Sequence, residues 1–331
     1  MTSLRVPAEW APQKAMWIGW PSHEDLWADD LAPARAEVAA LARAVAGPGR
    51  VPVRLLCGSD EGLSRARATF AKDADIEVVP GRFGDIWLRD TGPIFCLGED
   101  GSVASAFRFN GWGGKYDLPH DDEVAARIAD HAGAPLRQND FIMEGGALDH
   151  DGRGTILTTR QCLLNPNRNA RWTEADAQRA LADSLGARRV IWLGDGLVND
   201  HTDGHVDNLA RFVGENLVAC PVASGDDDPN ADIYEAAARD ISAAGLGVVR
   251  IPSPGRVEDE DGEIVPASHM NFLITDGAVI VPTYGNESAA RAACNALAMV
   301  FGDRQIIPLP SSAILTGGGS FHCISQQEPL A

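Results

Sequence analysis

The chain has 331 residues, 45% of them hydrophobic, with 28 basic against 47 acidic side chains and a net charge of -19. That hydrophobic fraction excludes general disorder, and the length slightly exceeds what one simple core organises, leaving two domains or one large closed architecture. So acidic a surface repels nucleic acid and anionic lipid and draws small cations. No apolar run reaches membrane-spanning length and MTSLRVPAEW lacks a secretory apolar segment, so the expectation is a cytosolic protein with neither nucleic acid nor membrane as partner.

In chain order, KAMWIGWP comes first, a strand-like run with no partner before it. PSHEDLW follows, where His23 and Glu24 are read as capping a short helix. Then a unit recurs: a short apolar strand, a polar segment, a hairpin with a glycine turn, and a helix. The strands are IEVVP, PLRQN, VIWLG, VVRIP and IIPLP. The hairpins are WLRDTGPIFCLGEDGSVASAF, GALDHDGRGTILTT, NLARFVGENLVAC and NFLITDGAVIVP. The helices are DDEVAARIADHAG, TEADAQRALADSLG, ADIYEAAARDISAAG and NESAARAACNALAMVFG.

The fifth unit has its strand, IIPLP, and the glycines of GGGSFHC, but runs out of chain before a hairpin. The economical solution is a ring, residues 1–331 forming a single domain of repeated ββαβ-type units, in which HCISQQ pairs beside KAMWIGWP. Closure removes free edges. The alternative is an open α/β sheet with helices on both faces.

Each strand-to-hairpin junction carries polar side chains: Trp87, Arg89 and Asp90; Glu144; His201, Asp203, His205 and Asp207; His269 and Asn271; His322 and Cys323. In a ring these five clusters meet around the axis. Cys57, Cys96, Cys162 and Cys220 sit in or beside apolar runs and read as small hydrophobes, as does Cys294 in its helix. Cys323 instead follows glycines, outside any apolar run. A nucleophilic thiol needs a positive neighbour, whereas carboxylates disfavour its ionisation. The conflict resolves if the substrate is itself a cation. A guanidinium meets this need, being planar, permanently charged and shaped for bidentate pairing with carboxylates.

IWLRDTGP, FNGWGGKY, MEGGALD, HTDGHVDN and GGGSFHCISQQEP, in this order over nearly the whole chain, resemble the agmatine deiminases and related bacterial peptidylarginine deiminases. The resemblance implies the pentein fold, a five-bladed α/β propeller, and hydrolysis of agmatine to N-carbamoylputrescine and ammonia, without metal or cofactor. It also implies a homodimer. Carried over, Cys323 is the nucleophile, His205 the general acid and base, and Asp90 and Asp207 the clamp on the guanidinium. Glu144 and Asn271 resemble further active-site residues.

The same residues also admit other readings. Trp87 and Trp112 are either core or stacking surfaces for the substrate. Glu144, Trp112 and Asp203 are candidates for the distal ammonium of agmatine. His322 is read as bonding backbone beside the nucleophile, and Arg89 as pairing with an acid. If HTDGHVD were a strand, His201, Asp203, His205 and Asp207 would share one face, as metal ligands do. A cysteine amidase, or a polyamine-binding protein without turnover, would use the same pocket on other ligands.

Overall fold

The computed structural model describes residues 4–331. Five small sheets make up the strand structure. The first holds β1 (Gln13–Trp20), β2 (Val53–Cys57) and β3 (Ile76–Pro80), all parallel. The second has β4 (Ile94–Gly98), β5 (Gly101–Arg108) and β6 (Leu136–Ile142), and the third β7 (Asp149–His150), β8 (Thr155–Thr159) and β9 (Arg189–Leu193). The fourth has β10 (Arg211–Gly214), β11 (Leu217–Val222) and β12 (Gly247–Pro252). The fifth has β13 (Leu273–Ile274), β14 (Ala278–Thr283) and β15 (Gln305–Pro310).

In each of the last four sheets an antiparallel hairpin is followed by a helical crossover to a parallel third strand. The crossover helices are Val124–Ala132, Glu174–Leu185, Ala231–Ala243 and Glu287–Val300. The last strand, β16 (Ser325–Pro329), pairs antiparallel with β1, from Gln13 opposite Pro329 to Ile18 opposite Ser325. That pairing closes the ring as the unpartnered first run requires, and the α/β propeller stands.

The first blade alone has four strands, because β2 and β3 each follow a helix of their own, Leu31–Ala46 and Asp60–Thr69. Local chemistry sets the repeats. Thr173 and Asp176 form a reciprocal capping box that starts Glu174–Leu185, and Gly186, at φ 73°, ends it in the left-handed region. Cores lie between each sheet and its helices; Ala278 to Val281 of β14 have no exposed surface, as expected of a strand covered on both faces. His23 occupies the position before the helix Glu24–Trp27 without capping it: its ring bonds the Phe83 carbonyl at 2.9 Å. Among the described residues, no helix is long and apolar enough to cross a membrane.

Candidate active site

The third strand of each blade runs into an irregular loop, and the five loops meet at one end of the ring. Cys323 lies two residues before β16, buried to 6% exposure. Asn271 braces it from the neighbouring loop: its Nδ2 donates to Cys323 Sγ at 3.1 Å, and its Oδ1 accepts from the His322 and Cys323 N–H groups at 2.8 and 3.3 Å. Asn208 Oδ1 in turn accepts from Asn271 Nδ2 at 2.9 Å. Asp207 Oδ2 lies 3.7 Å from the sulfur, and its Oδ1 is buried without a partner.

His205 sits between two acids. Its Nδ1 is 3.7 Å from Asp90 Oδ1 and its Nε2 3.8 Å from Glu144 Oε2, beyond hydrogen-bond reach, so both ring nitrogens are left without a bond. The glycines of the Glu144 loop are needed for this approach: a Cβ on Gly146 would lie 2.5 Å from His205 Nδ1 and 2.9 Å from Asp90 Oδ1. Asp90 is fixed by the Gly146 N–H at 3.0 Å and by the Trp112 indole N–H at 2.9 Å. Trp112 stands at φ 54°, an uncommon conformation for a bulky residue, and donates from there.

Electrostatics separate the acids. Burial pushes the Asp90 carboxyl up, and the Asp207 and Glu144 charges add to it against the opposing pull of His205. Burial also opposes ionisation of Asp207 and Glu144. The His322 hydrogen bond overcomes it at Asp207, and His205 and Arg168 overcome it at Glu144, holding both below the usual carboxylate range. Burial, reinforced by Asp207 and Asp90, drives the Cys323 thiol well above its ordinary value. Cys323 therefore stands as a thiol beside the carboxyl groups of Asp207 and Asp90.

A cavity of about 250 Å³ opens onto the sulfur, walled by Trp27, Trp87, Trp112 and Tyr116, with Asp85 and Asp90 as its carboxylates. Trp27 and Trp87 lie face to face, centroids 6.2 Å apart, and both indole N–H groups donate to Asp85, at 3.0 and 2.7 Å. A larger groove, lined by Arg5, Arg137, Arg153 and Arg188, opens at the opposite strand ends, far from the thiol loop.

Cys323, His205, Asp90, Asp207, Asn271, Glu144, Trp87 and Trp112 are thus gathered in one place. Several expectations need correction. HTDGHVD is no strand: Asp203 and Gly204 take positive φ and Val206–Asn208 is a single 3-10 turn, so His201 turns outward to the Tyr116 hydroxyl and Asp203 to Lys115 and Arg168. Asp203 and Glu144, engaged by these cations, are not open to a distal ammonium. His322 bonds the Asp207 carboxylate through its side chain at 2.8 Å and lies 3.3 Å from Glu9, rather than bonding backbone. Arg89 meets no acid; it donates to Gln327 Oε1 at 2.7 Å and to the His322 carbonyl at 3.3 Å.

Sequence reasoning missed Glu9, Asp85 and Arg168, which carry no motif signal of their own, passed over Asn208 at the end of HTDGHVDN, and took Cys162 for core filling alone. Cys162 in fact lies beside His205: one ligand atom each of Glu144, Cys162 and His205 falls within 4.8 Å of the others. Arg168, bonded to Glu144 at 2.7 Å, is a fixed cation beside that trio and disfavours a dication there.

Five blades, each sending one loop to a buried thiol, define a pentein, the class of enzymes that act on the C–N bonds of guanidines and other amidines. The DDAH of Pseudomonas aeruginosa shares the fold at 12% identity and a TM-score of 0.53, covering 96% of this chain and 99% of its own. Within that class the chain belongs to the Porphyromonas-type peptidyl-arginine deiminase family, whose model matches residues 5–329. It is 38% identical to the agmatine deiminase of Pseudomonas aeruginosa strain LESB58, over 98% of this chain and 95% of that one. The solved agmatine deiminase of Enterococcus faecalis is 30% identical, with a TM-score of 0.91 over 99% of this chain and 96% of its own. The Campylobacter jejuni agmatine deiminase solved with substrate bound is 25% identical, with a TM-score of 0.88 over 100% of this chain and 97% of its own.

Proposed function

We propose that the chain hydrolyses agmatine to N-carbamoylputrescine and ammonia. The observation that carries this reading is the placement of Cys323 Sγ 3.7 Å from Asp207 in the same buried centre as Asp90 and His205: a bound guanidinium adds the positive charge that favours the thiolate there, and the thiol proton leaves to solvent. The free Oδ1 of Asp207 takes one N–H edge of the guanidinium and Asp90 another. Cys323 Sγ then attacks the guanidinium carbon. His205 gives its proton to the leaving nitrogen, the C–N bond breaks and ammonia departs, leaving an amidino-thioether. A water that yields its proton to His205 attacks the same carbon, and the C–S bond breaks to return the thiol and the ureido product.

A cavity of about 250 Å³ walled by indoles and a tyrosine matches the size of a small substrate. The aromatic walls take the four-carbon chain, and Asp85, the other carboxylate on the cavity, is offered to the distal ammonium. We read the chain as a cytosolic enzyme whose net charge of -19 gathers small cations and repels nucleic acid. The resemblance adds a homodimer to this reading.

Ammonia release from agmatine, free arginine and an arginine-containing peptide tests the substrate. Agmatine is expected to lead in kcat/KM by about 100-fold or more, since a carboxylate or a peptide chain has no place beside Asp85. A peptide turned over as well as agmatine would move the assignment to the peptidylarginine branch.

A further inference from the structure

Behind the sulfur, buried ionisable side chains continue in a line that this chemistry leaves unused. His322 Nδ1 lies 2.8 Å from Asp207 Oδ2, and its Nε2 lies 3.3 Å from Glu9 Oε2. Glu9 is also paired with Arg211, whose Nε stands 3.4 Å from Asp149 Oδ1. All five residues are buried. Each nitrogen of the ring thus faces a carboxylate oxygen. The imidazole is thereby held from two sides, and turning it would leave the buried Asp207 carboxylate without its ring partner.

Its two anchors come from opposite parts of the chain. Glu9 belongs to the segment before β1 and is fixed there by Ile274 N–H, which donates to Oε1 at 2.7 Å. Asp207 comes from the loop after β9. Holding Oδ2 of Asp207 on His322 leaves Oδ1 as the oxygen without a partner.

We propose that Glu9 and His322 are positioning residues for the guanidinium clamp: Glu9 fixes the His322 ring, His322 fixes Asp207, and Asp207 Oδ1 is thereby aimed at the substrate. This inference rests on reading Asp207 as a clamp. Neither positioning residue needs to touch the substrate.

Glu9→Gln keeps volume and an oxygen for Ile274 N–H, and Arg211 keeps Asp149. Alkylation of Cys323 is followed with 2-chloroacetamidine, a planar cation, and with iodoacetamide, a neutral reagent of similar size. The wild type is expected to prefer the amidine. In Glu9→Gln that preference falls about tenfold or more while the iodoacetamide rate stays within about twofold, the behaviour of a misplaced clamp before an intact thiol. His322→Gln loses the same preference and the double variant loses no more than the worse single, as members of one chain do. Should Glu9→Gln fail to fold, His322→Gln carries the same measurement. A variant that lowers only the thermal midpoint and keeps the reagent preference overturns the inference, as do two losses that multiply in the double variant. A wild type without preference for the amidine overturns the clamp reading itself, and this inference with it.

Discussion

Burial alone would push the proton affinity of His205 down, yet Asp90, Cys162 and Glu144 carry it well above the ordinary value of 6.5. Because the folded value exceeds the unfolded one, the ring contributes stability that is complete below pH 6.5 and is lost as pH rises through the folded value. Thermal midpoints of the wild type are therefore expected to fall more steeply with rising pH than those of His205→Gln, which lacks the titrating ring. Parallel curves would contradict the shift. The same raised affinity suits the proposed role, since the ring enters the first step as an acid. At this scale, Cys323, His205, Asp90, Asp207 and Asn271 were legible because each stands in a polar cluster interrupting an apolar pattern. Glu9 was not: a lone acid in VPAEW carries no such contrast, and its partner His322 lies at the other end of the chain.

Gly317 and Gly319 of GGGSFHC are explained by what they pack against, whereas Gly318 stands in open space at φ 102°. A Cβ on Gly319 would lie 2.5 Å from Trp87 Cζ3 and 3.1 Å from Cys323 Cβ, so the loop carries the nucleophile only while it stays flush with the indole. Gly319→Ala must push aside Trp87, itself bonded to Asp85 and stacked on Trp27. It is expected to cost about 1–3 kcal/mol of stability by overpacking, with a matching loss of turnover as the sulfur shifts. Chemical denaturation and ammonia release together check this; an unchanged stability would show that the indole gives way freely. Elements were legible where periodicity was strong, as in the crossover helices. They were left open where backbone conformation decides the outcome. HTDGHVD alternates as a strand does, and the positive φ of Asp203 and Gly204 breaks that alternation, sending His201 to the rim and His205 inward.

Across the whole molecule, closure is what makes the site. The last strand pairs with the first over Gln13 to Ile18, and the residues just before it carry the sulfur to the loops of the other blades. Neither thiol nor clamp is complete within one blade, so the repeated order of elements read from the sequence already implied a shared centre. The charge balance at that centre was not readable, because it depends on Arg168, Arg211 and Glu9, brought in from segments with no motif. The most direct test of the central claim is rapid acid quenching of the enzyme mixed with agmatine, followed by mass spectrometry of its peptides. The account predicts a transient adduct with the mass of agmatine less ammonia, located on Cys323 and absent from Cys323→Ser, which stays folded and inactive. An adduct on another residue, or turnover by Cys323→Ser, would contradict it.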